Sequence, residues 1–228
     1  MAKVHLVRHG EVHNPDHVVY ASLPGFGLNE RGRTQAKEVA RYLRNAPVTA
    51  VWSSPLQRAI ETAEPIARAH DLPIRIAEDL IEWKMADDWA GIPWDGLASE
   101  RPGQLEAYLT DPLNMPFASE PLTALAARMR SALARIADGH DGDVVVVSHQ
   151  DPVQAARLAL AGRDLRTQHT NKPQHGTVIT MRPGTPWVEL AAWTPAQADE
   201  TAPSVSDRGV DSEAGTEQFG VGVEGQRR

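Results

Sequence analysis

An arginine and a histidine stand together at positions 8 and 9, after the run Val4-His5-Leu6-Val7 and before Gly10. Neutral imidazole is a nucleophile near pH 7, and a fixed guanidinium beside it binds an anionic group in bidentate fashion. A histidine at a strand end is by itself more often structural, but Arg8 and Gly10 on either side turn the balance toward chemistry. Arg58 falls in the first turn of a helix expected after Ser53-Ser54-Pro55. The exposed N–H groups and dipole there favour an anion, so a cation in that place needs a reason such as a bound phosphate. His149 follows four valines and Ser148 and is expected to point into the same cleft, with Gln150 and Asp151 as candidates to orient it. Glu82 lies just past a short strand, where a carboxylic acid near a leaving group can protonate it.

These groups need elements that bring them together. The apolar runs predict strands over 3–8, 48–52, 74–77, 144–147, 178–181 and 188–192. Helical spacing predicts helices over about 31–44, 55–70, 121–137 and 152–160, with Asn29 capping the first. Ser53 or Ser54 is expected to cap the second, with Pro55 at its first position and Leu56, Ile60, Ala63 and Ala67 facing inward. Residues 83–120 hold Pro93, Pro102, Pro112 and Pro116 with Trp83, Trp89 and Trp94, and read as an excursion of short helices. The tryptophans are expected to pack it onto the domain, with a pocket wall as the second possibility.

Strands alternating with helices imply an α/β fold with a largely parallel sheet between helical layers, Val144–Val147 at its centre and the last two strands antiparallel at one edge. In such sheets sites form beyond the carboxyl ends of the strands, which is where Arg8-His9, Ser53-Ser54 and Ser148-His149 fall.

At 228 residues the chain fits one domain, assigned to 1–195, with 196–228 expected to be a disordered acidic tail. That tail carries seven acids against three arginines, so −4 of the −7 net charge lies there and the folded part is close to balanced. The acidity argues against a nucleic-acid partner, and the absence of a long apolar run argues against a membrane span. With no cysteine, thiolate chemistry and zinc–thiolate sites are excluded. A start that enters a strand directly leads to the expectation of a cytoplasmic protein. His5, His9, His13 and His17 recur every four residues, but Gly10 and Pro15 forbid the continuous helix that a metal-ligand stripe needs, and no metal or cofactor is expected. His169 and His175 read as surface loop residues.

Leu6 to Glu11, Leu28 to Ala36, Ser53 to Ala63, Leu80-Ile81-Glu82 and Val147-Ser148-His149 together resemble the histidine phosphatase superfamily, which includes the phosphoglycerate mutases. The resemblance covers roughly residues 3–192 in order. It implies a three-layer α/β/α sandwich with a mostly parallel central sheet. It also implies that His9 is transiently phosphorylated while Arg8, Arg58 and His149 hold the phosphoryl oxygens. Glu82 is then the proton donor and later the base that activates water, with Glu11 in reserve for that role.

The chain departs from the family pattern in three places. Gln150 stands where a glycine usually follows the second histidine, and the family asparagine is displaced to Asn14. Ala86 replaces a glycine after the acid. Asn14 and Gln150 join the substrate-binding set. The expected activity is metal-independent hydrolysis of a phosphomonoester, on a small molecule or a phosphoprotein. Return of the phosphoryl group to substrate, as in a mutase, and non-catalytic binding of a phosphorylated ligand are the alternatives.

Overall fold

The computed structural model describes residues 2–196, so nearly all of the expected tail lies outside the described residues. Six strands form one sheet: β1 (Val4–Arg8), β2 (Val48–Ser53), β3 (Ile74–Ile76), β4 (Asp143–Ser148), β5 (Val178–Arg182) and β6 (Val188–Trp193). Their spatial order is β3-β2-β4-β1-β5-β6. β3, β2, β4 and β1 run parallel, while β5 pairs antiparallel with β1 and β6 antiparallel with β5. This is the mixed, mostly parallel sheet that the pattern implied.

Alternation along β4 shows how the layers form. Val145 and Val147 face a core shared with α1 (Glu30–Leu43) and α2 (Gln57–Ala69), through Val39, Leu43, Ala59, Ala63 and Ile66. Val144 and Val146 face the opposite core, built from α5 (Leu122–Asp138), α6 (Gln150–Leu160) and the excursion, through Leu125, Met129, Leu133 and Val153. All six residues of β4 are buried, as expected of a central strand covered on both faces. In β1, His5 is also buried, its ring shared between Thr180 Oγ1 at 2.9 Å and Asp143 Oδ2 at 3.2 Å.

Several boundaries differ from the sequence pattern. Asn29 does cap α1, accepting from the Gly32 amide at 2.7 Å. α2, however, begins at Gln57 with no side-chain cap at Leu56; Ser54 Oγ accepts from the Leu56 amide at 3.3 Å just before it and also lies 2.7 Å from His149 Nε2. Its inward stripe is Arg58, Ala59, Thr62, Ala63, Ile66 and Ala67. Leu56 and Ile60 are only half-buried. The rotation carries Arg58 and Thr62 to the sheet side. α6 starts at Gln150, not Pro152, so His149 occupies its N-cap position.

The excursion consists of 3-10 turns, α3 (Leu97–Glu100) and α4 (Gln104–Thr110). Trp83 and Trp89 are fully buried and pack it onto the domain, whereas Trp94 is exposed. Burying two indoles demands partners for their N–H groups, and both have one: Glu120 O and Gln104 Oε1, each at 2.7 Å.

The link from β1 into the following loop depends on close backbone approach. A Cβ on Gly10 would lie 2.6 Å from the Gly32 carbonyl oxygen, and one on Gly32 would collide with the Glu11 carbonyl. Only glycine fits at either place. Gly32→Ala is expected to destabilise the fold by about 2 kcal/mol, seen as a lower denaturant midpoint at unchanged slope. A midpoint equal to wild type would show that this contact does not constrain α1.

Candidate active site

The carboxyl ends of β1, β2 and β4 are aligned by register. Arg8 sits opposite Ser148 and Ser53 opposite Val147. The chain beyond each strand is still paired, with the His9 amide donating to Ser148 O at 3.0 Å and the Ser54 amide to Val147 O at 3.0 Å. This pairing sets His9 and His149 side by side, ring centroids 5.2 Å apart.

His9 is almost completely buried. Its Nδ1 lies 2.7 Å from the Gly10 carbonyl oxygen. A carbonyl can only accept, so Nδ1 carries the proton and Nε2 keeps its lone pair. Burial, reinforced by Arg58 and Arg8, holds this imidazole well below its usual range, and it is neutral at pH 7. Gly10 in turn is fixed by its amide, which donates to Thr62 Oγ1 at 3.0 Å, and that hydroxyl donates to Arg58 O at 2.7 Å.

Arg58 is 1% exposed. Its Nη2 donates to the Ala21 carbonyl at 2.6 Å, and its guanidinium lies 4.7 Å over the Tyr20 ring. Its buried Nε has no hydrogen-bond partner among the described residues. Burying an ionised group costs several kcal/mol unless it is paired, so a neutral carbonyl and a ring face leave this cation suited to an anion. Arg8 is buried beside it, Nη1 donating to Pro173 O at 3.0 Å and Nη2 to His175 Nε2 at 2.8 Å.

His149 is fully buried, with Nε2 2.7 Å from Ser54 Oγ and Nδ1 without a partner among the described residues. Burial first, then Arg58 and His9, hold it neutral. The N-terminus of α6 begins at this residue, and its unpaired amides favour an anion. Neither orienting candidate for His149 performs that task. Asp151 is bound to Lys172, Tyr108 and Gln168, and Ser54 orients the ring instead. Gln150 is half-buried in the first turn of α6.

Glu82 Oε1 accepts from the Trp83 amide at 2.7 Å. The residue is half-buried, and burial is the leading influence on its carboxyl. That burial, with Asp151 acting in the same direction, pushes its pKa up to about 7 against the pull of Arg58 and Arg8. A carboxyl so placed can both give and take a proton near neutrality. Glu11 is engaged elsewhere: Oε1 accepts from Asn29 Nδ2 at 2.5 Å and Oε2 lies 3.4 Å from Arg31 Nε. Asn14 staples its own loop, donating to Val18 O at 2.9 Å and accepting from the Val18 amide at 3.1 Å. Only its second amide hydrogen is left for a ligand.

His175 is not a surface residue. It is buried, its ring centroid 5.6 Å from that of His9, and its Nε2 accepts from Arg8. The signal for it was available: a strand antiparallel to β1 delivers the residues just before it to the carboxyl end of β1. His169 is half-buried with its ring 4.3 Å from Tyr108. Tyr20 and Thr62 also belong to the site, and no spacing rule singles them out; Ser54, at a strand end, joins it through His149.

Residues 4–194 match the family model of the histidine phosphatase superfamily, branch 1. An uncharacterized Mycobacterium tuberculosis protein is 45% identical over 166 residues, covering 72% of this chain and 80% of its own length. Phosphoserine phosphatase 1 of Hydrogenobacter thermophilus is 34% identical over 167 residues, covering 72% and 79%. Among solved structures, the native mycobacterial glucosyl-3-phosphoglycerate phosphatase superposes with a TM-score of 0.69 at 26% identity, covering 79% of this chain and 89% of that one.

Inorganic phosphate at about one hundred times its Kd is expected to stabilise the fold by about 2.7 kcal/mol. Thermal unfolding of wild type and Arg58→Ala measures this, with most of the upward shift lost in the variant. A wild-type midpoint indifferent to phosphate would sink the anion cradle.

Proposed function

Because the chain belongs to the histidine phosphatase superfamily, we propose that it hydrolyses a small-molecule phosphomonoester through a phosphohistidine at His9. The observation that carries this reading is the tautomer of His9. Its Nδ1–H is taken by Gly10 O, so the Nε2 lone pair is the free end of a ring lying among Arg8, Arg58, His149 and His175.

In the first step Nε2 attacks phosphorus in line as the bond to the leaving oxygen breaks, and Glu82 gives its proton to that oxygen. The phosphoryl group is then bonded to Nε2, and the Nδ1–H bond to Gly10 O stabilises the charge on the ring. In the second step Glu82, now a carboxylate, takes a proton from water as the water oxygen attacks phosphorus. The N–P bond breaks and inorganic phosphate leaves. Catalysis of this kind is positioning and charge stabilisation. The two guanidiniums supply fixed positive charge for the phosphoryl oxygens, and the neutral histidines supply hydrogen bonds.

Hydrolysis is favoured over return of the phosphoryl group to substrate because phosphoserine and glucosyl-3-phosphoglycerate phosphatases are among the relatives. A purely binding role is disfavoured because nucleophile, cations and acid are all present. Both relatives' names point to small polar phosphomonoesters, and a panel of these is the first substrate set to screen.

Radiolabelled phosphomonoester is expected to leave an acid-labile label on the wild type and none on His9→Ala. Equal labelling of the two would falsify the nucleophile assignment. Glu82→Ala is expected to slow turnover about a hundredfold or more while still forming some phosphoenzyme; unaltered turnover would move the acid elsewhere. The acid form of Glu82 is populated below its pKa, so kcat/KM on an alkyl phosphomonoester should fall as pH rises through about 7.

A further inference from the structure

One half-buried ionised cluster lies near Glu82 and outside the phosphate cradle. Asp151, in the first turn of α6, has Oδ1 2.8 Å from Lys172 Nζ and 3.2 Å from Gln168 Nε2. Its Oδ2 accepts from the Tyr108 hydroxyl at 3.1 Å. Lys172 Nζ also donates to the Tyr108 hydroxyl at 2.7 Å and lies 5.0 Å from the centre of that ring. An ammonium can only donate. The hydroxyl therefore accepts from Lys172 and passes its own proton toward Asp151, which closes a three-cornered network. Its corners come from α6, from α4 of the excursion and from the loop before β5.

Two anchors bracket Glu82 against this network. On one side Ser148 Oγ, three residues before Asp151, donates to Leu80 O at 2.7 Å. On the other, Trp83, whose amide holds Glu82 Oε1, packs with its ring 6.0 Å from that of Tyr108. The chain on either side of the acid is thus tied to the end of β4 just before α6 and to Tyr108, which holds Asp151.

We propose that Asp151 is a positioning residue for the proton-transfer step: held as a fixed anion by Lys172, Tyr108 and Gln168, it keeps the proton on Glu82 until the leaving group takes it. This rests on the reading of Glu82 as proton donor. Arg8 of β1 and Arg58 of α2 face the same carboxyl as cations and favour its ionised form. From α5, Arg128 donates to the carbonyls of Asp79 and Ile81 and is paired with Glu120. Tyr108 of α4 is neutral, its ionisation pushed well up by burial and by Asp151. Burial favours the neutral form of Glu82 most, and Asp151 is the charged group that adds to it against the Trp83 amide and the two guanidiniums. Two carboxyl groups in one water-poor site cannot both ionise readily. Three hydrogen-bond donors stabilise the charge on Asp151, and the proton goes to Glu82.

The test is a titration of the Glu82 carboxyl by NMR in the full chain, isotope-labelled at glutamate carboxyl carbons and free of phosphate. The resonance is identified by its loss in Glu82→Gln. Asp151→Asn is expected to lower the midpoint by about one pH unit or more, and the alkaline limb of kcat/KM should move down with it. Asp151→Glu, which keeps the charge, should hold the midpoint near the wild-type value. Tyr108→Phe, which removes one hydrogen bond to Asp151 and one from Lys172 but no charge, should move it far less than Asp151→Asn. An unmoved midpoint in Asp151→Asn, or an equal fall in Tyr108→Phe, overturns the proposal. Because the titration needs no turnover, normal phosphoenzyme formation with an unmoved midpoint defeats the role of Asp151 alone. A chain that titrates as expected but forms no phosphoenzyme defeats the phosphatase reading on which it rests.

Discussion

Five pairs of backbone partners, from Val4 opposite Val144 to Arg8 opposite Ser148, hold the site together. β1 and β4 are far apart in sequence, yet their parallel register makes them end at the same level. Any slip by one residue would turn Arg8 and Ser148 to opposite faces and separate the two histidines. The hydrogen bond from the His9 amide to Ser148 O continues the ladder one step past the strand. Both strands are buried along their whole length. Hydrophobic alternation on two faces therefore enforces the register, and the chemistry inherits its precision from the core.

The same location imposes an electrostatic constraint. Arg8 and Arg58 are both at most 5% exposed, in a part of the sheet with little water. The three histidines around them respond by staying neutral, with burial the leading cause and the guanidiniums adding to it. The proposed reaction would need this combination, with positive charge fixed on the arginines while the His9 imidazole keeps its lone pair. Protonating His9 would remove the nucleophile and add a third positive charge to the cleft. The Arg58 side chain is held in place by Tyr20, whose ring also stacks on Phe26 at 5.3 Å. The loop after β1 thus serves as a cover for the second arginine.

Much of this was legible in the sequence for identifiable reasons. Two-sided burial makes Val144 to Val147 readable as a central strand, and Asn29 has a local capping role that needs no tertiary information. The strand-end rule then collected Arg8-His9, Ser53-Ser54 and Ser148-His149. What escaped depends on contacts distant in sequence. Ser54 resembles an N-cap and does accept from the Leu56 amide, but its hydroxyl also meets a histidine 95 residues away, which no local pattern shows. His175 looks like a loop histidine until β5 is known to lie antiparallel beside β1. Arg58 and Thr62 reverse the usual meaning of a polar residue on a helix, since the inward face of α2 is polar at one end and apolar at the other.

The remaining step concerns the direction of attack. In-line displacement requires the nucleophile and the proton donor to approach phosphorus from opposed sides. Under the proposed mechanism, the sheet edge would meet that need by drawing on both layers. Arg58 and Thr62 come from α2 on one face, and Glu82 comes from the excursion packed with α5 and α6 on the other. The buried tryptophans make the second contribution a rigid one, since their indole N–H groups are fixed to Glu120 and Gln104 within the excursion. The Trp83 amide and the hydroxyl of Tyr108 are then what the excursion places near Glu82.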